Sequence, residues 1–261
     1  MKSAPRVAFV TGASRGIGRV IASRLAQDGY RVAIAARSGD GLAAVARETG
    51  AFAVPLDVTD GAAVDAAFAR VDAELGPLDL LVANAGVGGD ARASWEQQPD
   101  DWWRVFEVNV LGAYLCARAA VQRMRSSGGG RIMNIASGAA YFPLDGTGVT
   151  ISSAYMASKA ALVRFTEALA AETDADGIAV FAISPGTVKT EMTADLFAEL
   201  WDEPGIWSPP ELAADLVAFL DTGALDRLSG RYIHAAIDDW RSLPDRIDEI
   251  LEGDRHALRI R

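Results

Sequence analysis

The chain has 261 residues, half of them apolar and 23% charged, with a net charge of −10. The acidic balance argues against a nucleic-acid partner, because phosphate binding wants a basic face. No uninterrupted apolar run approaches the roughly 18 residues of a membrane span, so membrane insertion is not expected. The N-terminal residues run straight into the short apolar stretch Val7–Val10, which is too brief for the apolar core of a secretory signal. The one cysteine, Cys116, can form no intrachain disulfide and reads as a packed thiol, which suits a reducing cytoplasm.

Short apolar, β-branched runs alternate with longer stretches of helical spacing. Val7–Val10, Arg31–Ala35, Ala51–Leu56, Leu78–Val82, Arg131–Ile135, Ile178–Ile183 and Arg231–Ala235 read as strands. Gly16–Asp28, Gly41–Thr49, Asp60–Leu75, Asp101–Ser126, Ser153–Asp174 and Pro210–Asp221 read as helices. Such alternation predicts an α/β doubly wound (Rossmann-like) fold: a mainly parallel seven-stranded sheet with helices on both faces. One domain over 1–261 is the economical division, with a substrate lid at about 190–210 and a C-terminal extension at about 236–261.

Thr11-Gly12-Ala13-Ser14-Arg15-Gly16-Ile17-Gly18 follows the first strand and opens the first helix. Glycines there allow a sharp turn and a close approach by a pyrophosphate, which the helix N-terminus attracts. The second strand ends Ala35-Ala36-Arg37-Ser38, without the carboxylate that would bind the ribose 2′-hydroxyl of NAD. Arg37, with Arg15 in the glycine turn, suits the 2′-phosphate of NADP instead. NADP(H) is therefore expected in preference to NAD(H).

Tyr155 and Lys159 lie four residues apart on one helix face. A phenol is mostly protonated at neutral pH, and a nearby ammonium would lower its pKa toward the working range. Ser137 emerges at the carboxyl end of the fifth strand, where open α/β sheets bind ligands. Ser152 and Ser153, just before Tyr155, read as helix N-caps. Asn109 sits mid-helix, where an amide is locally unfavourable. Trp102 and Trp103 read as helix-packing residues, and His234 as a packing residue of the last strand.

The Gly-x-x-x-Gly-x-Gly turn, Asn84-Ala85-Gly86 after the fourth strand, Tyr155-Met156-Ala157-Ser158-Lys159 and Pro185-Gly186-Thr187-Val188-Lys189-Thr190 together resemble the short-chain dehydrogenase/reductase family over residues 6 to 235. The resemblance implies hydride exchange between a nicotinamide cofactor and a carbonyl/alcohol pair. It implies a catalytic set of Asn109, Ser137, Tyr155 and Lys159, with Asn109 holding a water beside Lys159. It further implies cofactor contacts from Gly12, Ser14, Arg15, Gly16, Ile17 and Gly18, from Arg37, from Asp57 and Val58 at the adenine, and from Asn84, Ala85 and Gly86. Tyr155 and Lys159 would serve the cofactor too, as would Pro185, Gly186, Val188 and Thr190 at the carboxamide. A homodimer or homotetramer is the family's usual assembly.

Two features depart from the family pattern. Ala83 stands where a second Asn is common, and the Ser137-to-Tyr155 interval is about five residues longer than the family's, which puts extra chain in Tyr141–Thr150. The substrate is expected to be a small-molecule ketone or alcohol of apolar character, bound by loops including Val87–Trp95 and the apolar lid residues Met192, Leu196, Phe197, Leu200, Trp201 and Trp207. The extension beyond Ala235 would cover the site or join subunits. A non-catalytic nucleotide-binding sensor of the same fold is the alternative, although Ser137, Tyr155 and Lys159 are all present. A sugar-nucleotide epimerase or dehydratase would need a different glycine spacing and a larger substrate domain.

Overall fold

A computed structural model describes residues 5–142, 152–194 and 201–259. Seven strands form one sheet: β1 (Val7–Thr11), β2 (Arg31–Ala36), β3 (Phe52–Pro55), β4 (Leu80–Ala83), β5 (Gly130–Ile135), β6 (Ile178–Ser184) and β7 (Tyr232–His234). Their order is β3-β2-β1-β4-β5-β6-β7, and every pairing is parallel. The expected doubly wound sheet is therefore present, with each strand within two residues of its predicted bounds. The order reverses between β1 and β4, and in such sheets the crevice at the reversal is the ligand site.

Side-chain alternation along the strands builds two cores. Ala8, Val10, Val32 and Ile34 face α1 (Gly16–Gln27), α2 (Gly39–Thr49) and α8 (Glu211–Leu220). Val7, Phe9, Ala33 and Ala35 face α3 (Gly61–Leu75), α5 (Gly112–Ser127) and α6 (Ser153–Thr173). Cys116 lies in this second core, where burial pushes its thiol up to about 12, as a packed cysteine requires.

The long helix expected over Asp101–Ser126 is divided. α4 (Pro99–Phe106) passes into a π-helical turn at Glu107–Leu111 before α5 begins. The turn carries Asn109, whose amide is drawn out of the helix to Val87. Trp102 is partly buried and stacks on Phe106, and Trp103, though 57% exposed, stacks on the same ring with centroids 5.6 Å apart. A short α7 (Glu191–Ala194) follows the nicotinamide-type segment; Leu196, Phe197 and Leu200 of the expected lid, and most of the Tyr141–Thr150 loop, lie outside the described residues.

The C-terminal extension is part of the domain's interior. Trp240, Leu243, Ile247 and Ile250, the last two from α9 (Ile247–Glu252), are buried in the same cluster as β6 and α8. Beyond α9 the chain returns along the free edge of β7, where Tyr232 N donates to His256 O at 2.8 Å. Arg259 reaches Glu167 on α6 at 2.7 Å, and Leu258 packs with Tyr141 and Tyr232.

The turn after β1 is locked to β4. Thr11 Oγ1 accepts from Asn84 N and Ala85 N, each at 3.1 Å, while Asn84 Nδ2 donates to Thr11 O at 2.9 Å and Gly12 O at 3.1 Å. Gly12 has φ +64, and Gly18 lies against both Asn84 Nδ2 and Gly12 O, with a Cβ there falling 2.5 Å from that oxygen. Both glycines are thus demanded by the protein's own packing, before any ligand is considered. Gly18→Ala should cost about 2 kcal/mol through overpacking, which for a chain of this size lowers Tm by about 4–8 °C. Calorimetry would check this; an unchanged Tm would mean that the joint tolerates the extra methyl.

Candidate active site

At the carboxyl edge of the sheet a cleft of about 1140 Å³ runs from the tip of β2 to the segment after β6. Of the residues expected at a cofactor, Gly12, Ser14, Arg15, Gly16, Ile17, Arg37, Asp57, Val58, Asn84, Ala85, Gly86 and Thr190 line it. Gly18 is buried beneath the turn, and Pro185 and Val188 are buried under the segment that carries Thr190. Gly186 turns that segment with φ +86. Thr193 holds the same segment in shape: its hydroxyl donates to Val188 O at 2.8 Å and accepts from Thr190 N at 2.9 Å.

Charge in the cleft is locally arranged. α1 starts from Arg15 in extended conformation with no side chain capping its first N–H groups, which leaves them facing the glycine turn. Arg15 itself pairs with Glu191 across the cleft mouth, both side chains about two-thirds exposed. Asp57 is held below the usual carboxylate range. Burial acts to raise it, but the backbone N–H and hydroxyl of Thr59, with Arg104 and Arg37 nearby, outweigh burial.

Ser137, Tyr155, Lys159 and Asn109 come together beside the far end of this cleft. Ser137 follows β5 and caps a short turn, accepting from Ala139 N at 3.2 Å, and its hydroxyl also hydrogen-bonds the Tyr155 phenol. Ser152 caps α6 by accepting from Tyr155 N at 3.4 Å. Ser153 is no cap: its hydroxyl accepts from Trp102 Nε1 at 3.1 Å and from Ser94 Oγ at 2.9 Å. Lys159 is buried, with Nζ 5.6 Å from the Tyr155 ring centroid and donating to Ile135 O at 2.6 Å.

Burial raises the Tyr155 pKa, partly offset by the Ser137 hydrogen bond. The Lys159 ammonium is turned to a backbone carbonyl, and burial pushes its pKa down to about 8. The Asn109 side chain is bonded within the chain. Its Oδ1 accepts from Val87 N at 2.8 Å, and Nδ2 donates to Val87 O and Ser158 Oγ, each at 3.0 Å. Both amide hydrogens are engaged, so the side chain fixes the 86–88 segment. Gly86 passes so close that a Cβ there would lie 3.2 Å from Asn109 Oδ1 and 3.7 Å from Lys159 Nζ, which joins the cleft to the Tyr155 group.

His234 is buried and its Nδ1 accepts from Ala236 N at 3.2 Å, in keeping with a packing role. Motif reading passed over Glu191 and gave no role to Thr11 or Lys189, although Thr11 fastens β1 to β4 and Lys189 and Glu191 line the cleft with Met192, Val87 and Gly88. Their roles depend on contacts from distant parts of the chain. No local spacing signals them.

A sequence model described as short chain dehydrogenase matches residues 6–201. Short chain dehydrogenase mpl6 of Monascus purpureus is 36% identical over 98% of this chain and 88% of its own. Cis-4-hydroxycyclohexanecarboxylate dehydrogenase of Sinomonas cyclohexanicum is 37% identical over 87% of this chain and 93% of its own. The solved structure of a gluconate 5-dehydrogenase from Burkholderia cenocepacia, in complex with NADP and tartrate, superposes with TM-score 0.78 at 28% identity, covering 89% of this chain and 94% of that one. The fold and site thus define an oxidoreductase with a doubly wound nucleotide-binding sheet. The chain belongs to the short-chain dehydrogenase/reductase family.

The buried lysine sets a pH dependence of stability. Below about pH 8 Lys159 is protonated in both folded and unfolded chains, and the full burial penalty applies. Between about 8 and 10.5 the unfolded chain holds more protons, so stability rises with pH. The gain amounts to about 3 kcal/mol at most, since one pKa unit is worth about 1.36 kcal/mol. Urea unfolding of wild type and Lys159→Met from pH 7 to 10.5 should show wild type gaining on the variant across that window. A constant difference would refute the buried ammonium.

Proposed function

We propose that the protein is an NADP(H)-dependent oxidoreductase that interconverts a ketone and a secondary alcohol, working as a reductase. The observation that carries this reading is the Tyr155 phenol hydrogen-bonded to Ser137, with Lys159 beneath it, at the end of a long cleft lined by the glycine turn.

The residues present fit a nicotinamide dinucleotide. Gly16 leaves the turn open toward Thr190, and the uncapped start of α1 suits a pyrophosphate. Asp57 and Val58 line the cleft where an adenine would lie, and Ala85 and Gly86 form its floor. Arg37 and Ser38 stand at the tip of β2 with no carboxylate between them, which favours a 2′-phosphate over a bare ribose hydroxyl. Pro185, Gly186, Val188 and Thr190 would hold the carboxamide, and Lys159 the nicotinamide ribose. When bound, the cofactor supplies the hydride that reaches the carbonyl carbon.

The chain's own residues manage the oxygen. Ser137 donates to the substrate oxygen and steadies the negative charge that develops there. Tyr155 gives that oxygen its proton. Because burial keeps the phenol protonated at neutral pH, the free site is prepared to donate, which supports reduction as the working direction. Asn109 acts as a positioning residue through Val87 and Ser158.

Tyr155→Phe should lower ketone reduction by about 10²–10⁴-fold while leaving NADPH binding within about twofold; substantial turnover would overturn the assignment of Tyr155. Cofactor choice has its own test in the Arg15–Glu191 pair, which competes with a phosphate for Arg15. An exposed pair is worth about 0.2–1 kcal/mol, so Glu191→Gln should tighten NADPH by about 1.4–5-fold and leave NADH unchanged. Nicotinamide fluorescence titrations read both values, and tighter binding of NADH by the wild type would sink the NADP preference.

A further inference from the structure

The turn that carries Ser137 is tied to the sheet at two points. Ala136 N donates to Ile183 O at 2.7 Å and so extends the β5–β6 ladder by one bond. For Gly138 N, two residues on, β6 has no carbonyl to offer. That of Ser184, its last residue, accepts from Ala235 N at 2.8 Å, and Gly186, with φ +86, turns the chain beyond. The Ser184 hydroxyl stands in for a carbonyl: it accepts from Gly138 N at 3.0 Å, in a bond that is fully buried. The Tyr232 phenol lies beside the same hydroxyl, buried and otherwise without a partner among the described residues. It gives the Ser184 proton somewhere to point, which leaves an oxygen lone pair for Gly138 N.

Ser137 lies between these two bonds. Its backbone is extended, with φ −163 and ψ 151. A residue has only two soft backbone torsions, so fixing the peptide groups on both sides fixes the direction in which its side chain leaves. That direction brings the Ser137 hydroxyl to the Tyr155 phenol. Bonds inside the short turn cannot supply the same aim. Ala140 N donates to Ser137 O at 3.1 Å and Tyr141 N to Gly138 O at 2.9 Å, and both would travel with the turn if it shifted. The bond to Ser184 refers the turn to the sheet.

We propose that Ser184 is the positioning residue for Ser137: through Gly138 N it holds the Ser137 oxygen where a substrate oxygen must meet it. Ser184 itself touches neither substrate nor cofactor. The proposal rests on the oxidoreductase reading above.

The test is a double-mutant cycle on the reduction of cyclohexanone at saturating NADPH, with slow variants followed in single turnover at high protein concentration. Ser184→Ala should lower kcat by at least about tenfold, since small misplacements of a reacting group are costly, and leave NADPH affinity within about twofold. Ser184→Thr, which keeps the hydroxyl, should restore most of the loss. In a Ser137→Ala background the same Ser184→Ala change should matter less than about twofold, because no hydroxyl is left to aim. A general structural role would instead cost the same factor in both backgrounds. Wild-type turnover by Ser184→Ala, an undiminished loss in the Ser137→Ala background, or a Ser184→Thr variant with the Tm of the wild type and the rate of Ser184→Ala would each overturn the proposal. The cycle can also be read without turnover, as cyclohexanone affinity of the NADP⁺-saturated protein by tryptophan fluorescence. Coupled losses of affinity in a protein that reduces no ketone would count against the activity and uphold Ser184. A wild type that neither reduces nor binds the ketone would sink both.

Discussion

The joint between the β1 turn and β4 is the constraint on which the rest of the site depends. Thr11 and Asn84 exchange hydrogen bonds across the point where the strand order reverses, and the missing side chains of Gly12 and Gly18 let the two segments touch. A crevice at such a reversal opens because neighbouring connections leave in opposite directions. Here the crevice is held to one shape by four hydrogen bonds between the Thr11 and Asn84 side chains and the facing backbone. Everything that would grip a dinucleotide is referred to this frame: the open start of α1 on one side and the 85–88 segment on the other.

The second half of the site is fixed in a similar way. Asn109 ties the 86–88 segment to α6 through Val87 and Ser158, and Ser158 in turn donates to Tyr155 O at 2.7 Å. Tyr155, Lys159 and the floor of the cleft therefore move as one body. The electrostatics follow from that rigidity. Lys159 is aimed at a backbone carbonyl, and burial raises the Tyr155 pKa, so the site at rest holds a neutral phenol.

Most of the sheet was legible in the sequence because its strands are buried on both faces and so appear as short, nearly continuous apolar runs. Ser137, Tyr155, Lys159 and the glycine turn were legible because their chemistry shows itself in local spacing. The break in the 101–126 helix was not. Its cause is the capture of the Asn109 amide by Val87, 22 residues away, and periodicity carries no mark of such a contact. The same holds for Glu191, whose partner Arg15 is 176 positions distant. The C-terminal extension misled for a different reason. Its charged surface residues hide the apolar set of Trp240, Leu243, Ile247 and Ile250, which completes a core begun by α8 and β6.

The return of the chain along β7 has a consequence for how copies of this molecule meet. An open sheet offers its outermost strands as templates for pairing with another chain, and proteins that fail to guard them stick edge to edge. Here Tyr232 N is already committed to His256 O, and Arg259 anchors the returning chain to α6. At the opposite border, β3 is four residues long and ends in Pro55, which has no N–H to offer. Both borders of the sheet are thus guarded from within one chain, which disfavours edge-to-edge pairing between copies.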